Sequence, residues 1–454
     1  MNRPNIVFYF SDQQRWDTLG CYGQELPVSP NLDALAAEGV RFASAYTCQP
    51  VCGPARACLQ TGRYATQTGC YRNAIELPSN IKPLAAYFNE AGYDTAYVGK
   101  WHLASNKEKG IDHTRGPIPR ELMGGYKDYW MASDVLEFTS HGYDGYVFDI
   151  DGNRHDFIGY RADCINNYAI HYLQNRETYN PFFLFISQIE PHHQNDHGRF
   201  EGPDGSKERF RDFRAPGDLL GTQGDWWDNY PDYLGQCANL DENIGRLIAT
   251  LKEQGVWENT ILFYTSDHGC HFTTRNKEYK RSCHDGCTHL PMIACGPGFR
   301  GGRVMDEMVS LIDIPTTLLD CAGIEKPNGF QGNSLKQLCA GRNQSWPQEV
   351  FMQISESQVS RAIRTKDWKY CVRADADGWA ESGADVYYEY YLYDLNGDPY
   401  EKQNLAEDPA LAEVRAELRG RLCEYMSLAQ EEVPQIRPAS EMPSSLRSLF
   451  CLGL

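Results

Sequence analysis

Cys52-Gly53-Pro54-Ala55-Arg56, running after four residues into Thr61-Gly62-Arg63, is the stretch of this chain best equipped for chemistry. Pro54 suits a first helical turn, where its missing N–H would be unpaired anyway. Gly62 suits the position just past a helix end. The spacing therefore predicts a short helix with residue 52 at its N-terminus, where free N–H groups and the macrodipole favour anions. Arg56, one turn on, supplies a fork-shaped cation for a tetrahedral oxyanion. The same residues also suit a buried cysteine at a helix start with an arginine on the surface.

Four further segments carry polar residues directly after apolar runs: Ser11-Asp12-Gln13, Gly99-Lys100-Trp101-His102, Glu190-Pro191-His192-His193 and Asp267-His268-Gly269. Asp12, Gln13, Asp267 and His268 together offer carboxylate, amide oxygen and imidazole, a set suited to a divalent cation with oxygen predominating. Any one aspartate after a strand also suits a helix cap; four such ligands at two strand ends favour the metal. Lys100 and His102 alternate on an extended segment, so both can face one pocket. His192 and His193 are adjacent, so one of the two is expected to point inward. Lys280 opens a further polar stretch, Lys280-Arg281-Ser282-Cys283-His284-Asp285, and could equally be an ordinary solvated lysine. Cys270, His271, Cys283, His284, Cys287 and His289 are zinc-ligand types, but their spacing matches no standard finger.

The elements needed to bring these segments together are legible. Asn5-Ile6-Val7-Phe8-Tyr9-Phe10 reads as a strand buried on both faces. Further strands are expected over Asp94–Gly99, Pro181–Ser187, Thr260–Ser266 and Leu290–Cys295. Helices are expected from Ser29-Pro30 to Gly39, over Pro83–Ala91, and from about Asp232 to Gln254 with an apolar stripe. Strands alternating with helices predict an α/β fold: a large mixed, mostly parallel sheet sandwiched by helices. In such sheets ligands collect at the carboxyl ends of the strands, where the four polar tips would converge. Residues 103–160 and 195–230 show weak periodicity and read as long loops over that edge. Past about residue 345 the character changes: a hairpin over Arg361–Tyr370, a strand at Tyr391–Leu395 and an amphipathic helix over 409–428. A catalytic domain over 1–345 and a smaller C-terminal antiparallel α+β subdomain over 346–454 are expected.

Composition narrows the partners. With 454 residues and 41% hydrophobic content there is ample material for a core. A formal net charge of −18 argues against nucleic acid or an anionic membrane surface as partner. No run approaches the ~20 apolar residues of a membrane span. No export signal is visible, so the sixteen cysteines read mostly as reduced thiols and the expected location is cytoplasmic.

The Cys52 segment resembles the type I sulfatase signature of the alkaline phosphatase superfamily. The resemblance extends from Asn5 to about Asp408. It takes in Asp17-Thr18-Leu19-Gly20-Cys21-Tyr22-Gly23, Ser29-Pro30-Asn31-Leu32-Asp33, Gly99-Lys100-Trp101-His102, Asp267-His268-Gly269 and Leu392-Tyr393-Asp394-Leu395 with Asp398-Pro399, Glu401 and Asn404-Leu405. It implies a sulfuric ester hydrolase in which a maturase oxidises Cys52 to Cα-formylglycine. It further implies a calcium-like ion (Ca2+, with Mn2+ or Mg2+ as alternatives) held by Asp12, Gln13, Asp267, His268 and the modified Cys52. In that mechanism one oxygen of the hydrated aldehyde attacks sulfur in line. Arg56, Lys100 and Lys280 contact the sulfate or the diol. His192, His193 or Lys280 protonates the departing alcohol. His102 holds the diol and takes its proton, and the second hydroxyl then expels sulfate. Two departures matter: Gln13 stands where many sulfatases have a second Asp, and His268 where many have Asn. That version resembles phosphonate monoester hydrolases as well. His289-Leu290-Pro291 also replaces the usual Arg-Val-Pro, which weakens the carry-over to Lys280.

Three functions are therefore weighed: a sulfatase acting on a sulfated saccharide, a phosphonate monoester or phosphodiester hydrolase on the same site, and a non-catalytic binder of sulfated ligands. For the saccharide reading, His141, His193, His197, Trp226, Trp227, Arg275 and Lys277 lie in segments expected at the pocket rim. Each is also a plain candidate for loop packing.

Overall fold

The computed structural model describes residues 3–342 and 345–452. Residues 1–2, 343–344 and 453–454, which the expected domain limits include, lie outside the described residues. The first strand, β1 (Asn5–Ser11), is buried along its whole length at the middle of a ten-stranded sheet. The other nine strands are β2 (Val40–Tyr46), β3 (Asp94–Lys100), β4 (Tyr129–Ser133), β5 (Asp144–Asp149), β6 (Arg154–Ile158), β7 (Phe182–Ser187), β8 (Thr260–Ser266), β9 (Met292–Cys295) and β10 (Arg303–Ser310). Across the sheet the order is β10-β2-β9-β8-β1-β7-β3-β4-β5-β6. The centre, β8-β1-β7-β3-β4, is parallel throughout. β9 lies antiparallel between β2 and β8, so the expected fifth strand forms but runs against its neighbours.

Side-chain alternation on β1 builds two cores. Ile6, Phe8 and Phe10 face one side, with Ala55 and Leu59 of the Cys52 helix, Leu84 and Phe88. Val7 and Tyr9 face the other, with Leu32 and Leu35 of α1 (Pro30–Glu38), Ile165 and Ala169 of the helix Arg161–Asn175, and Leu240, Ile244 and Leu247 of the helix Trp226–Glu253. Helices thus cover both faces, as a largely parallel sheet requires. Residues 103–160 are not only loop: they contain β4, β5 and β6, which extend the sheet edge. Their short, half-exposed strands gave no clear period-2 signal.

A second sheet follows, in sequence order: β11 (Glu349–Ile354), β12 (Val359–Thr365), β13 (Trp368–Ala374), β14 (Val386–Asp394) and β15 (Gln435–Arg437). It is antiparallel except for the last pair. The helix Ala412–Leu428 packs on it through Leu418, Leu422 and Met426. Its inner face, with Tyr370, Val372 and Leu392, shares one hydrophobic cluster with Phe8 and Phe10 of the first sheet.

Register explains why the polar tips meet. Ser11 of β1 is the partner of Ser266 of β8, Phe10 is the partner of Ser187 of β7, and Ser187 is the partner of Gly99 of β3. The residues that follow, Asp12, Asp267 and Lys100, therefore leave the sheet side by side, with neighbouring strands about 4.8 Å apart. Gly99 is needed at this edge. Its φ is +104°, and a Cβ there would stand 2.0 Å from the Ser187 carbonyl oxygen.

Candidate active site

Cys52 opens the helix Cys52–Thr61, which is wholly buried, and Gly62 closes it in the left-handed conformation at φ 67°. The helix aims residue 52 at the strand tips. Cys52 Sγ lies 3.4 Å from Asp12 Oδ1, 3.2 Å from His268 Nε2 and 2.8 Å from Lys280 Nζ. Arg56 donates to Asp12 Oδ2 at 3.0 Å, to Ser187 Oγ at 2.6 Å and to the Lys100 carbonyl at 3.0 Å. The Lys100 ammonium sits between Asp12 Oδ2 (2.9 Å) and Glu137 Oε1 (3.1 Å). Lys280 Nζ reaches His192 Nε2 at 3.0 Å. Two strand tips turn sharply at Gln13 (φ 69°) and His102 (φ 61°), left-handed backbone that non-glycine residues adopt only where the surroundings enforce it.

The electrostatics follow from burial and pairing. Burial would raise the Asp12 carboxyl, but the cations Lys100, Lys280 and Arg56 hold it well below the usual carboxylate range. Asp267 goes the other way, pushed up to about 7 by burial and by Asp12. The Cys52 thiol is pushed up to about 12 by burial and by the carboxylates of Asp12 and Asp267, so an unmodified cysteine here is a protonated, weak nucleophile. Burial and then Lys280 hold His192 and His268 well below their ordinary value, so both imidazoles are neutral. Burial and the cations Lys100 and Arg56 do the same for His102.

Asp12, Asp267, His268 and Cys52 put one ligand atom each within 4.8 Å of one another, all buried. His268 Nδ1 stands 3.0 Å from the Gly269 carbonyl, an acceptor only, so Nδ1 carries the proton and the Nε2 lone pair faces the carboxylates. Its nearest carboxylate oxygens are at 3.5 and 3.8 Å. Asp267 Oδ2 and Gln13 Oε1 are buried without a hydrogen-bond donor. Two buried acceptors left without donors beside a cluster of carboxylate and imidazole ligand atoms fit a hard divalent cation.

The remaining expected site residues separate into two groups. Of the histidine pair, His192 faces the site. His193 lies against Tyr279, ring centroids 4.0 Å apart, and against Phe200. His141 and His197 stack on each other at 4.6 Å on the surface and are held by Asp196 and Glu201. Trp226 is not at a pocket rim: it begins the long helix, six residues earlier than the periodicity indicated, and is buried against Phe213. Trp227 beside it is 69% exposed. Arg275 is likewise taken up elsewhere, its guanidinium donating to the Tyr400 and Glu401 carbonyls at 2.9 and 2.8 Å. Lys277 is exposed. The cysteine- and histidine-rich stretch 270–289 is spent on packing, with His284 bonded to the Tyr393 hydroxyl and His289 stacked between Trp16 and Tyr46.

Sequence reasoning missed three contributors. Glu137, on a one-turn helix Leu136–Thr139, pairs with Lys100. Asn73 Oδ1 accepts the Gly53 N–H at 2.9 Å beside residue 52. Ser187 fixes Arg56. Only Ser187 had a signal, its place at the end of an apolar strand.

A mostly parallel sheet whose strand tips hold a buried carboxylate and imidazole cluster, with a reactive position at a helix N-terminus above it, defines the alkaline phosphatase class of ester hydrolases. Family models agree. Residues 4–324 match the sulfatase model, and residues 277–427 match the C-terminal model of N-sulphoglucosamine sulphohydrolase. The chain is 32% identical to an uncharacterized sulfatase of Escherichia coli K12, over 94% of this chain and 88% of that one. It is 27% identical to the N-acetylglucosamine-6-O-sulfatase of Bacteroides thetaiotaomicron, over 95% and 88%. A protein solved with its substrate D-glucosamine-2-N,6-O-disulfate superposes with a TM-score of 0.76 at 25% identity, covering 97% of this chain and all of the other. The chain belongs to the sulfatase family and is a sulfuric ester hydrolase; the family implies a metal ion and a formylglycine at the active site.

Proposed function

We propose that this sulfatase removes sulfate from a saccharide, with a calcium ion held by Asp12, Gln13, Asp267 and His268 and with Cys52 converted to formylglycine by a maturase. The observation that carries the reading is the placement of residue 52: its side chain is in contact with a carboxylate, a neutral imidazole and an ammonium at once. Relatives named for sulfated sugars support the substrate class.

Bound together, the ion and the hydrated aldehyde would supply an oxygen nucleophile and Lewis-acid polarisation of the ester. The chain's own residues supply the rest. Lys100 and Arg56 hold Asp12 ionised and fixed. Asp12, Asp267 and Glu137 stand against Arg56, Lys100 and Lys280, so the fixed charges in the pocket largely offset one another before any cation enters. With a divalent cation it turns positive and attracts an anionic ester into a protein that is acidic overall. Lys280 Nζ faces both residue 52 and His192 Nε2, where an ammonium stabilises charge on sulfuryl oxygens and hands a proton to the departing alcohol oxygen. His192 Nδ1 lies 2.6 Å from the His193 carbonyl, which fixes the tautomer and leaves Nε2 as the acceptor. His102 Nδ1 is buried without a hydrogen-bond partner, which leaves it open to a bond with the hydrated aldehyde at residue 52.

The test is turnover by matured enzyme of defined sulfated mono- and disaccharides, an aryl sulfate, a phosphodiester and a phosphonate monoester, with a mass spectrum of the Cys52 peptide in parallel. Saccharide sulfate release with an aldehyde at residue 52 is expected. Preference for the phosphorus esters would move the chain to the other hydrolase reading.

A further inference from the structure

Beside the reactive centre lies a cavity of about 200 Å³, bounded by Asn73, His102, Glu137, Phe138 and Asn195 among others. It is small beside the ~300–1,000 Å³ of drug-sized sites and has room for about one sugar ring. Two of its walls also touch the reaction machinery. Asn73 accepts the N–H of Gly53, next to residue 52, and Glu137 pairs with Lys100, which itself pairs with Asp12. A ring in this cavity would therefore lie against Asn73, one hydrogen bond from Gly53, and against Glu137, one ion pair from Lys100.

Glu137 is the unusual wall. The residue is 5% exposed, and only Oε1 of its carboxylate is used, by Lys100. Oε2 is buried with no donor. A carboxylate oxygen left in that state is costly unless something donates to it. The main chain under it is held in place: the backbone carbonyl of Glu137 accepts from Gln194 Nε2 at 3.0 Å. At the cavity mouth Phe138 is 41% exposed, an apolar ring face of the kind that packs against sugar C–H bonds.

We infer that Glu137 is a specificity residue: its Oε2 accepts a hydroxyl from the sugar ring that bears the scissile sulfate, and Phe138 packs on that ring. This deepens the saccharide reading and rests on it. The same carboxylate repels a second anionic group on that edge, so the ring received there is a neutral one bearing a free hydroxyl, not a uronate or a ring sulfated twice on that side.

The experiment compares wild type and Glu137→Gln on three substrates: a monosulfated hexose or hexosamine that the wild type cleaves, single-deoxy versions of that sugar sulfate, and an aryl sulfate with no ring hydroxyl. Loss of Glu137 also loosens Lys100, so every substrate suffers. The proposal requires the sugar sulfate to suffer at least about tenfold more in kcat/KM than the aryl sulfate, the discrimination expected where a buried polar group loses its partner. It also requires one deoxy analogue to be at least about tenfold poorer for the wild type, and Glu137→Gln to erase that difference. Equal losses on sugar and aryl sulfates would make Glu137 only a positioning residue for Lys100 and overturn the inference. Should the variant not fold, the deoxy series on wild type decides alone: indifference to every hydroxyl overturns the proposal. Turnover of the aryl sulfate with no saccharide sulfate cleaved would instead overturn the saccharide reading, and this inference with it.

Discussion

Lys280 Nζ stands 2.8 Å from Cys52 Sγ, although 228 residues separate them in the chain. An ammonium that close to a residue at a helix N-terminus makes position 52 a place where negative charge is welcome twice over. A plain thiol gains little from this, since burial keeps it protonated. An oxygen nucleophile formed from it gains fully. Cys52→Ala is therefore expected to remove sulfate release down to background while the protein stays folded, because the helix is anchored by Ala55, Cys58 and Leu59 in the core. Activity against near-ultraviolet circular dichroism measures both; wild-type-like turnover by Cys52→Ala would refute the role.

His192 and His193 are neighbours with different jobs. His192 Nε2 meets Lys280, whereas His193 packs on Tyr279. His192→Gln should lower kcat by about 10²–10⁴, the range for a lost proton-transfer partner. His193→Gln should lower it far less, acting through packing. Steady-state kinetics on the same substrate distinguish them, and a larger loss at His193 would reverse the assignment.

How much of this was legible before the structure depended on the kind of signal. Strand tips could be read because β1, β7 and β8 are buried on both faces and appear as near-continuous apolar runs ending in polar residues, with β3 showing the shorter run Ala96-Tyr97-Val98. Their convergence needs only a parallel sheet in register, which the Ser11–Ser266 and Gly99–Ser187 pairings provide. Glu137 and Asn73 were not readable. Each lies in a segment whose conformation is set by tertiary contacts, with no periodicity of its own. Two of the expected rim residues are engaged elsewhere for a related reason. Arg275 and Trp226 are types suited to sugar binding, but residue type alone does not reveal that a carbonyl pair or a core has already claimed them.

Ion binding is testable without activity. Asp267 Oδ2 and Gln13 Oε1 are buried without hydrogen-bond donors, which costs stability until a cation arrives. A ligand that binds only the folded state stabilises it by about 2.7 kcal/mol at 100 times its Kd. Protein stripped with a chelator should melt several degrees higher when Ca2+ is restored, with Mn2+ and Mg2+ giving a ranking. Asp267→Ala should abolish the calcium-dependent rise. Identical melting of stripped and calcium-loaded wild type would sink the ion site.

Asp285 ties the Lys280 segment to the second sheet. Its carboxylate meets Lys369 Nζ at 2.5 Å and Arg364 at 3.4 Å, and its N–H donates to Glu401 at 2.7 Å. Burial would raise this carboxyl, but Lys369 and then Arg364 outweigh it and hold the group well below its ordinary 3.8. A carboxyl depressed on folding contributes stability that is present above about pH 4 and lost as pH falls below the unfolded value. Asp285→Asn should therefore destabilise the protein by about 3 kcal/mol at pH 7, the scale of breaking a buried pair. The gap between the two proteins should stay constant from pH 7 to about pH 5 and narrow as pH drops below about 4, where the unfolded chain takes up a proton that the folded Asp285 still refuses. Urea unfolding of both proteins across that range measures the gap. A gap that widens toward acid would mean the Lys369 and Arg364 pairings do not favour the ionised carboxylate.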